Sequence, residues 1–311
     1  MKKNFITFSI LFIFFLMLAK MNITKEYALK GLILWLYTIL PTLLPYTIIS
    51  SLLLCTNSFS KPFSIIKKIS KITFNENISL ILMCGIFCGC PVAAKLTNDA
   101  YKTYKIDKRM ATFLICAFNN LSPAFVINFA LPSYLSINMR ISIFALIIIS
   151  NIISGYITIM YFHIPSTYIS INNSSCRNNS ATSPQDNHFM DIFENCILSS
   201  LVIQGKIGGY ITIFSCISGL FIQTLHLSPY FALIFNSTLE ISSGLGTYND
   251  FPIFPHYIAL ISSLTSFGGI CTICQIFSCM KDLDLPKSFL IYSKVFSSLL
   301  TYVVIFFIIF Y

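Results

Sequence analysis

The sequence predicts an all-α polytopic membrane protein of about eight membrane segments, built as two inverted repeats. Each repeat is expected to carry a re-entrant hairpin and a broken helix. Three observations predict this. Of 311 residues, 56% are hydrophobic and only 10% are charged, against about 25% charged in a soluble domain. The apolar runs match bilayer crossings of roughly 20 residues. Several are interrupted mid-run by Pro, Gly, amides or a charge, and irregular backbone at membrane depth persists only where protein buries it or it lines a polar cavity.

The central interruption is Cys84-Gly85-Ile86-Phe87-Cys88-Gly89-Cys90-Pro91-Val92-Ala93-Ala94-Lys95. Pro91 removes a backbone donor, Gly85 and Gly89 admit a close backbone, and Lys95 is a costly charge in apolar surroundings. Residues 78–98 therefore read as a re-entrant hairpin; the competing reading is a kinked spanning helix with Lys95 snorkelling. Lys61, Lys67, Lys68 and Lys71 precede the stretch, and Lys102, Lys105, Lys108 and Arg109 follow it. A spanning helix would put one basic loop outside, whereas a hairpin keeps both inside.

The other segments follow in order. Lys2-Lys3 and the apolar run Phe5–Ala19 resemble a signal peptide without a small-residue cleavage site, so an uncleaved first helix is expected. Residues 28–54 carry Pro41 and Pro45 and should kink or break. Residues 59–74 alternate apolar and Lys positions as a basic amphipathic helix on the cytoplasmic interface. Residues 110–131 are apolar except Asn119-Asn120-Leu121-Ser122-Pro123, a broken helix, and 139–162 form a plain helix. Residues 163–190, rich in Asn and Ser, read as a linker. The run 191–225 is interrupted at Gln204–Gly209, 229–248 holds Glu240, 257–280 holds Ser266-Phe267-Gly268-Gly269, and 287–311 closes the chain. The units are 1–27, an N-terminal helix and link; 28–162, the first repeat; 163–190, the linker; and 191–311, the second repeat.

Setting Gly89 against Gly269 aligns Lys95 with Gln275 and, with a two-residue gap, Phe118-Asn119-Asn120 with Phe296-Ser297-Ser298. The second hairpin, placed at 257–280, has Asp250 before it and Lys281, Asp282, Asp284 and Lys287 after it. The missing positive excess there, against the strong excess around the first, fits repeats of opposite orientation.

Several classes are excluded. No basic patch with interleaved aromatics sits in a soluble domain, so nucleic acid is not a partner. No Ser-His-Asp set, paired carboxylates or phosphate loop is present, so no enzyme is expected. The four His lack ligand spacing, and the eleven Cys read as small apolar packing residues. No metal or cofactor is expected beyond a coupling proton or sodium ion.

Gly85…Gly89-Cys90-Pro91-Val92-Ala93-Ala94-Lys95, Asn119-Asn120-Leu121-Ser122-Pro123, Leu239-Glu240…Gly244 and Phe267-Gly268-Gly269 resemble the sporulation integral membrane proteins of YlbJ type. These belong to the nucleoside-recognition gate group, similar to the concentrative nucleoside transporters, and the resemblance covers roughly residues 28–305. It implies an inverted-repeat helical bundle acting in endospore formation. Specifically, it implies carriage of dipicolinic acid from the mother cell across the outer forespore membrane. One departure is Ala93, where relatives often carry Gly; a positive φ there would tighten or shift the turn. Loops short for the family are another.

Hairpin tips and broken helices meeting at mid-membrane would gather helix N-termini into an anion site. The expected substrate-binding residues are Gly89, Pro91, Lys95, Asn119, Asn120, Ser122, Gly268 and Gly269. Lys95 reads equally as interfacial, and the amides also read as helix–helix glue. Glu240 is expected to couple transport, since burial favours its neutral form; the alternative is a structural pair with Lys206. The expected partners are a small anionic solute and the lipid bilayer, with the oligomeric state left open. A nucleoside or other small-solute carrier, and a non-transporting scaffold in spore cortex or envelope assembly, are the competing functions. The charge pattern makes a topology prediction. Single cysteines at Ser70 and Thr103, in a background without native Cys, should label from the same side of the membrane; labelling from opposite sides would replace the hairpin with a spanning helix.

Overall fold

The computed structural model describes residues 2–56, 76–103, 105–166, 189–225, 227–246, 255–280, 283 and 285–310. Every regular element among them is helical. Helix α1 (Lys2–Ala19) turns at Lys20 into α2 (Met21–Cys55). The pair α3 (Glu76–Phe87) and α4 (Val92–Lys102) follows, then α5 (Lys108–Phe118), α6 (residues 123–130) and α7 (Ile137–Tyr161). The remainder comprises α8 (Phe189–Leu225), α9 (Pro229–Leu239), α10 (Ile241–Gly246), α11 (Pro255–Phe267), α12 (Gly269–Cys279) and α13 (Lys287–Phe310). The amphipathic segment expected at 59–74 lies outside the described residues, as does most of the 163–190 linker.

Among the described residues, six stretches are long and apolar enough to cross a membrane: α2, Lys108–Ala130, α7, α8, His256–Cys279 and Lys287–Ile308. About eight segments were expected; the apolar parts of α1 and α3 are shorter, at Thr7–Ala19 and Asn77–Phe87. The chain is an integral membrane protein, and its closing helix turns its small polar side chains inward. On α13, Ser293, Ser297 and Thr301 are fully buried while Val295, Leu299, Val303 and Phe307 are exposed. Ser154 on α7 donates to the Ser293 carbonyl at 2.6 Å, and Ser263 and Ser298 join α11 to α13 at 2.8 Å. Lipid supplies no hydrophobic drive between helices, so small residues and hydrogen bonds hold the bundle.

Two interruptions of the apolar runs leave their helices continuous. Helix α2 runs through Pro41 and Pro45, and a wide π-helical turn at Trp35–Ile39 absorbs the lost register just before Pro41. Helix α8 continues without interruption through Gln204–Gly209. There the glycines serve packing: the Trp35 ring lies where a Gly208 side chain would project, 2.7 Å from its Cβ position. The indole Nε1 donates to the Gln204 carbonyl at 3.0 Å.

The order of elements is the same in both halves: a long helix, a folded-back pair, an interrupted helix and a closing helix. The pair in the second half is α9 and α10, which pack on each other, while α11 and α12 are two lengths of one interrupted helix. The hairpin expected at 257–280 is therefore corrected: that stretch is an interrupted helix that does not fold back on itself. The sequence hid this because both kinds of interruption use Gly. Each folded-back pair also packs across the halves, α4 on α12 and α10 on α6. Ala93 lies buried inside α4 with an ordinary helical φ.

Each arm of the α3–α4 pair has 11 or 12 residues, about 17 Å at 1.5 Å per residue. That falls short of a hydrocarbon core of about 30 Å. Lys105, in the basic loop after α4, donates to the Leu54 carbonyl at 3.0 Å, so this loop sits beside the C-terminal end of α2. Burial holds its ammonium below the usual lysine range.

The α9–α10 pair is tight because Gly244 has no side chain. A Cβ there would lie 2.4 Å from the Ser237 Cα on the facing arm. Gly244→Ala is expected to cost about 1–3 kcal/mol by overpacking, read as a lowered melting temperature by circular dichroism in detergent.

Candidate functional site

In both halves the turn of the folded-back pair docks on the break of the interrupted helix. Gly89, at φ 77°, brings its Cα so close that a Cβ would meet Ser122 N at 2.7 Å and the Asn120 carbonyl at 2.9 Å. The next amide, Cys90 N–H, donates to that carbonyl at 2.7 Å. In the second half Gly268 and Gly269 both take positive φ, 81° and 85°. Side-chain-bearing residues rarely adopt that conformation. A Cβ on Gly269 would sit 3.2 Å from the Ser237 carbonyl and 3.3 Å from Ile241 N.

Between the two docked turns lies a cavity of about 290 Å³. Its wall takes Thr38 and Thr42 from α2, Cys88 and Cys90 from the first turn, and Ser122 from the first break. Glu240, Ile241 and Ser242 come from the second turn, and Thr272 and Gln275 from α12. Four helices begin at this wall: α4 just after Cys90, α6 after Ser122, α10 at Ile241 and α12 at Gly269. Their N-terminal ends carry partial positive charge and N–H groups free of helical partners. Ser122 caps α6, its Oγ accepting from Phe125 N at 3.3 Å.

Glu240 is buried, and its carboxylate caps α10. One oxygen accepts from Ser242 N at 3.1 Å and the other from Ser243 N at 2.6 Å. The alternative pairing with Lys206 is not what the carboxylate makes; backbone amides hold it. It is the one charged side chain among the cavity-lining residues.

The expected binding residues divide into four groups. Ser122 lines the cavity, as does the coupling residue Glu240; Gly89, Pro91, Gly268 and Gly269 shape its wall from behind. Asn119 and Asn120 are buried in that wall without lining the cavity. Asn119 Nδ2 donates to the Ile115 carbonyl at 3.0 Å, and Asn120 Nδ2 to the Ala117 carbonyl at 2.8 Å. Lys95 lies apart: it is buried, its ammonium donating to Ser51 Oγ at 2.7 Å and Ser199 Oγ at 3.1 Å. It thus ties α4 to α2 and α8.

Sequence reasoning missed Lys294, the largest fully buried side chain among the described residues. Its ammonium donates to the Asn119 carbonyl at 2.8 Å, Asn120 Oδ1 at 2.9 Å and Asn151 Oδ1 at 3.2 Å. The signal was a Lys seven residues into an apolar run, together with an Asn in the middle of α7. Comparisons with protein-family models, curated proteins and solved structures find no match for this chain.

These contacts separate wall from lining. Asn120→Ala removes one of the three acceptors of the buried Lys294 ammonium and should cost roughly 1–3 kcal/mol. Thr38→Ala, at an exposed residue lining the cavity, should change stability by less than about 1 kcal/mol. Melting curves of the two purified variants check the contrast.

Proposed function

We propose that the protein is a membrane transporter of a small anionic metabolite, and that its halves are inverted repeats whose folded-back pairs are re-entrant hairpins. The observation that carries this reading is the cavity at which both pairs and both interrupted helices meet. Discontinuous helices whose half-helix N-termini face a common site are how transporters hold anionic groups without a full opposing charge. The resemblance to the YlbJ-type sporulation proteins makes dipicolinic acid the leading solute and the outer forespore membrane the leading location. A cavity of this size suits one small ring. A scaffold in spore cortex assembly has no need of it.

Glu240 sets the condition for an anion. A carboxylate on the cavity wall opposes a second negative charge until a proton or sodium ion neutralises it. Solute and coupling ion therefore enter together, and neither crosses alone. The same carboxylate supports a second reading, since it would accept hydrogen bonds from the hydroxyls of a nucleoside or another neutral solute.

Purified protein in proteoliposomes separates the two. Dipicolinate should accumulate under an imposed proton or sodium gradient, without competition from nucleosides; uptake of nucleosides alone would favour the neutral carrier. Glu240→Gln should still insert, since it loses one capping acceptor at a cost of about 1 kcal/mol. It should bind solute and lose gradient-driven accumulation. A stable Gln variant with unchanged driven uptake would remove Glu240 from coupling.

A further inference from the structure

Lys294 is 1% exposed and sits within a membrane-crossing helix. No carboxylate among the described residues pairs with it. Its three N–H bonds go instead to three neutral oxygens: one backbone carbonyl and two side-chain amides. These oxygens come from an unwound turn between α5 and α6 and from the middle of α7. A further oxygen on the same turn, Asn119 Oδ1, is buried with no hydrogen-bond partner. Carbonyl oxygens released from helical bonding and gathered around one positive centre are how proteins replace the hydration shell of a monovalent cation. Divalent ions ask for carboxylates and more ligands than this.

We propose that Lys294 occupies a monovalent-cation site with a tethered ammonium. The site belongs to the wall of the cavity, because Asn120 serves both sides of it. Asn120 Oδ1 accepts from Lys294, and its backbone carbonyl accepts from Cys90 N–H at the first docked turn. The tethered charge holds the unwound turn open to receive that docking. Because the ion is covalently attached, it leaves no room there for a mobile ion in this conformation, and a mobile coupling ion must act elsewhere. The inference stands on the cage alone and does not depend on which solute is carried.

Removing the tether should expose the site to free cations. Lys294→Ala deletes the side chain beyond Cβ, and propylammonium restores the missing atoms. The full-length protein in detergent is melted in choline chloride, whose bulky cation cannot enter the cage, and in sodium, potassium or propylammonium chloride. The native protein should melt at the same temperature in all four. Lys294→Ala should melt roughly 5–10 °C lower in choline. It should recover about half of that loss, saturably, in propylammonium or in one of the alkali salts. Lys294→Met, whose side chain fills the space, should stay low in every salt.

The proposal is overturned if Lys294→Ala melts like the native protein in choline. It is also overturned if that variant melts equally low in all four salts, or if Lys294→Met recovers as well. Should Lys294→Ala not survive extraction in choline, the same membranes are extracted into each of the other salts. Folded protein in any one of them supports the cage; loss in all of them overturns it.

Discussion

The bond from Cys90 N–H to the Asn120 carbonyl is the contact on which the rest of the structure depends. Two stretches of non-helical backbone lie inside an apolar bundle, and each must satisfy polar groups that no lipid can reach. They do so by meeting. Gly89 makes the approach geometrically permissible, and Ser122, Asn119 and Asn120 distribute the remaining bonds. The second half solves the same problem with Gly268 and Gly269 against the turn at Glu240. Pairing one irregular turn with another leaves a gap between the two docked sets, and that gap is the cavity.

Charge in this interior follows two different rules. Glu240 is held by backbone amides at a helix start, so its negative charge faces the positive end of a dipole. Lys294 is held by carbonyl and amide oxygens at a helix break. Lys95 rests on two serines. None of the three forms an ion pair with another. Glu240 and Lys294 are balanced by dipoles, which are fixed by the fold and do not exchange partners as ion pairs do.

Much of this was legible in the sequence, and the exceptions have physical causes. The interruptions at Gly89–Pro91, Asn119–Ser122, Glu240 and Gly268–Gly269 stood out because Pro, Gly, amides and acids are costly within apolar runs. Which interruption turns the chain back and which lets it continue was not legible, since Gly permits both. The interruption at Gln204–Gly209 leaves α8 continuous: a glycine that admits a neighbouring ring looks, in one dimension, like a glycine that unwinds a helix. Asn119 and Asn120 were expected to bind substrate, but in the structure they accept from Lys294, about 175 residues away, a distance that no local pattern spans. Lys294 itself was overlooked because one charge in a long apolar run reads as a tolerated exception until its neighbours are known.

Trp35 is the only tryptophan in the chain. It lies in the widened turn of α2 with its ring against Gly208 of α8 and its Nε1 bonded to the Gln204 carbonyl. These helices open the two halves of the element order. The protein thus carries an intrinsic, label-free optical gauge at the seam between them. Any rearrangement that slides α2 along α8 must pull the indole from its glycine notch and break its one hydrogen bond. The emission colour and lifetime of a single fluorophore would then register the relative motion of the halves in the unmodified molecule.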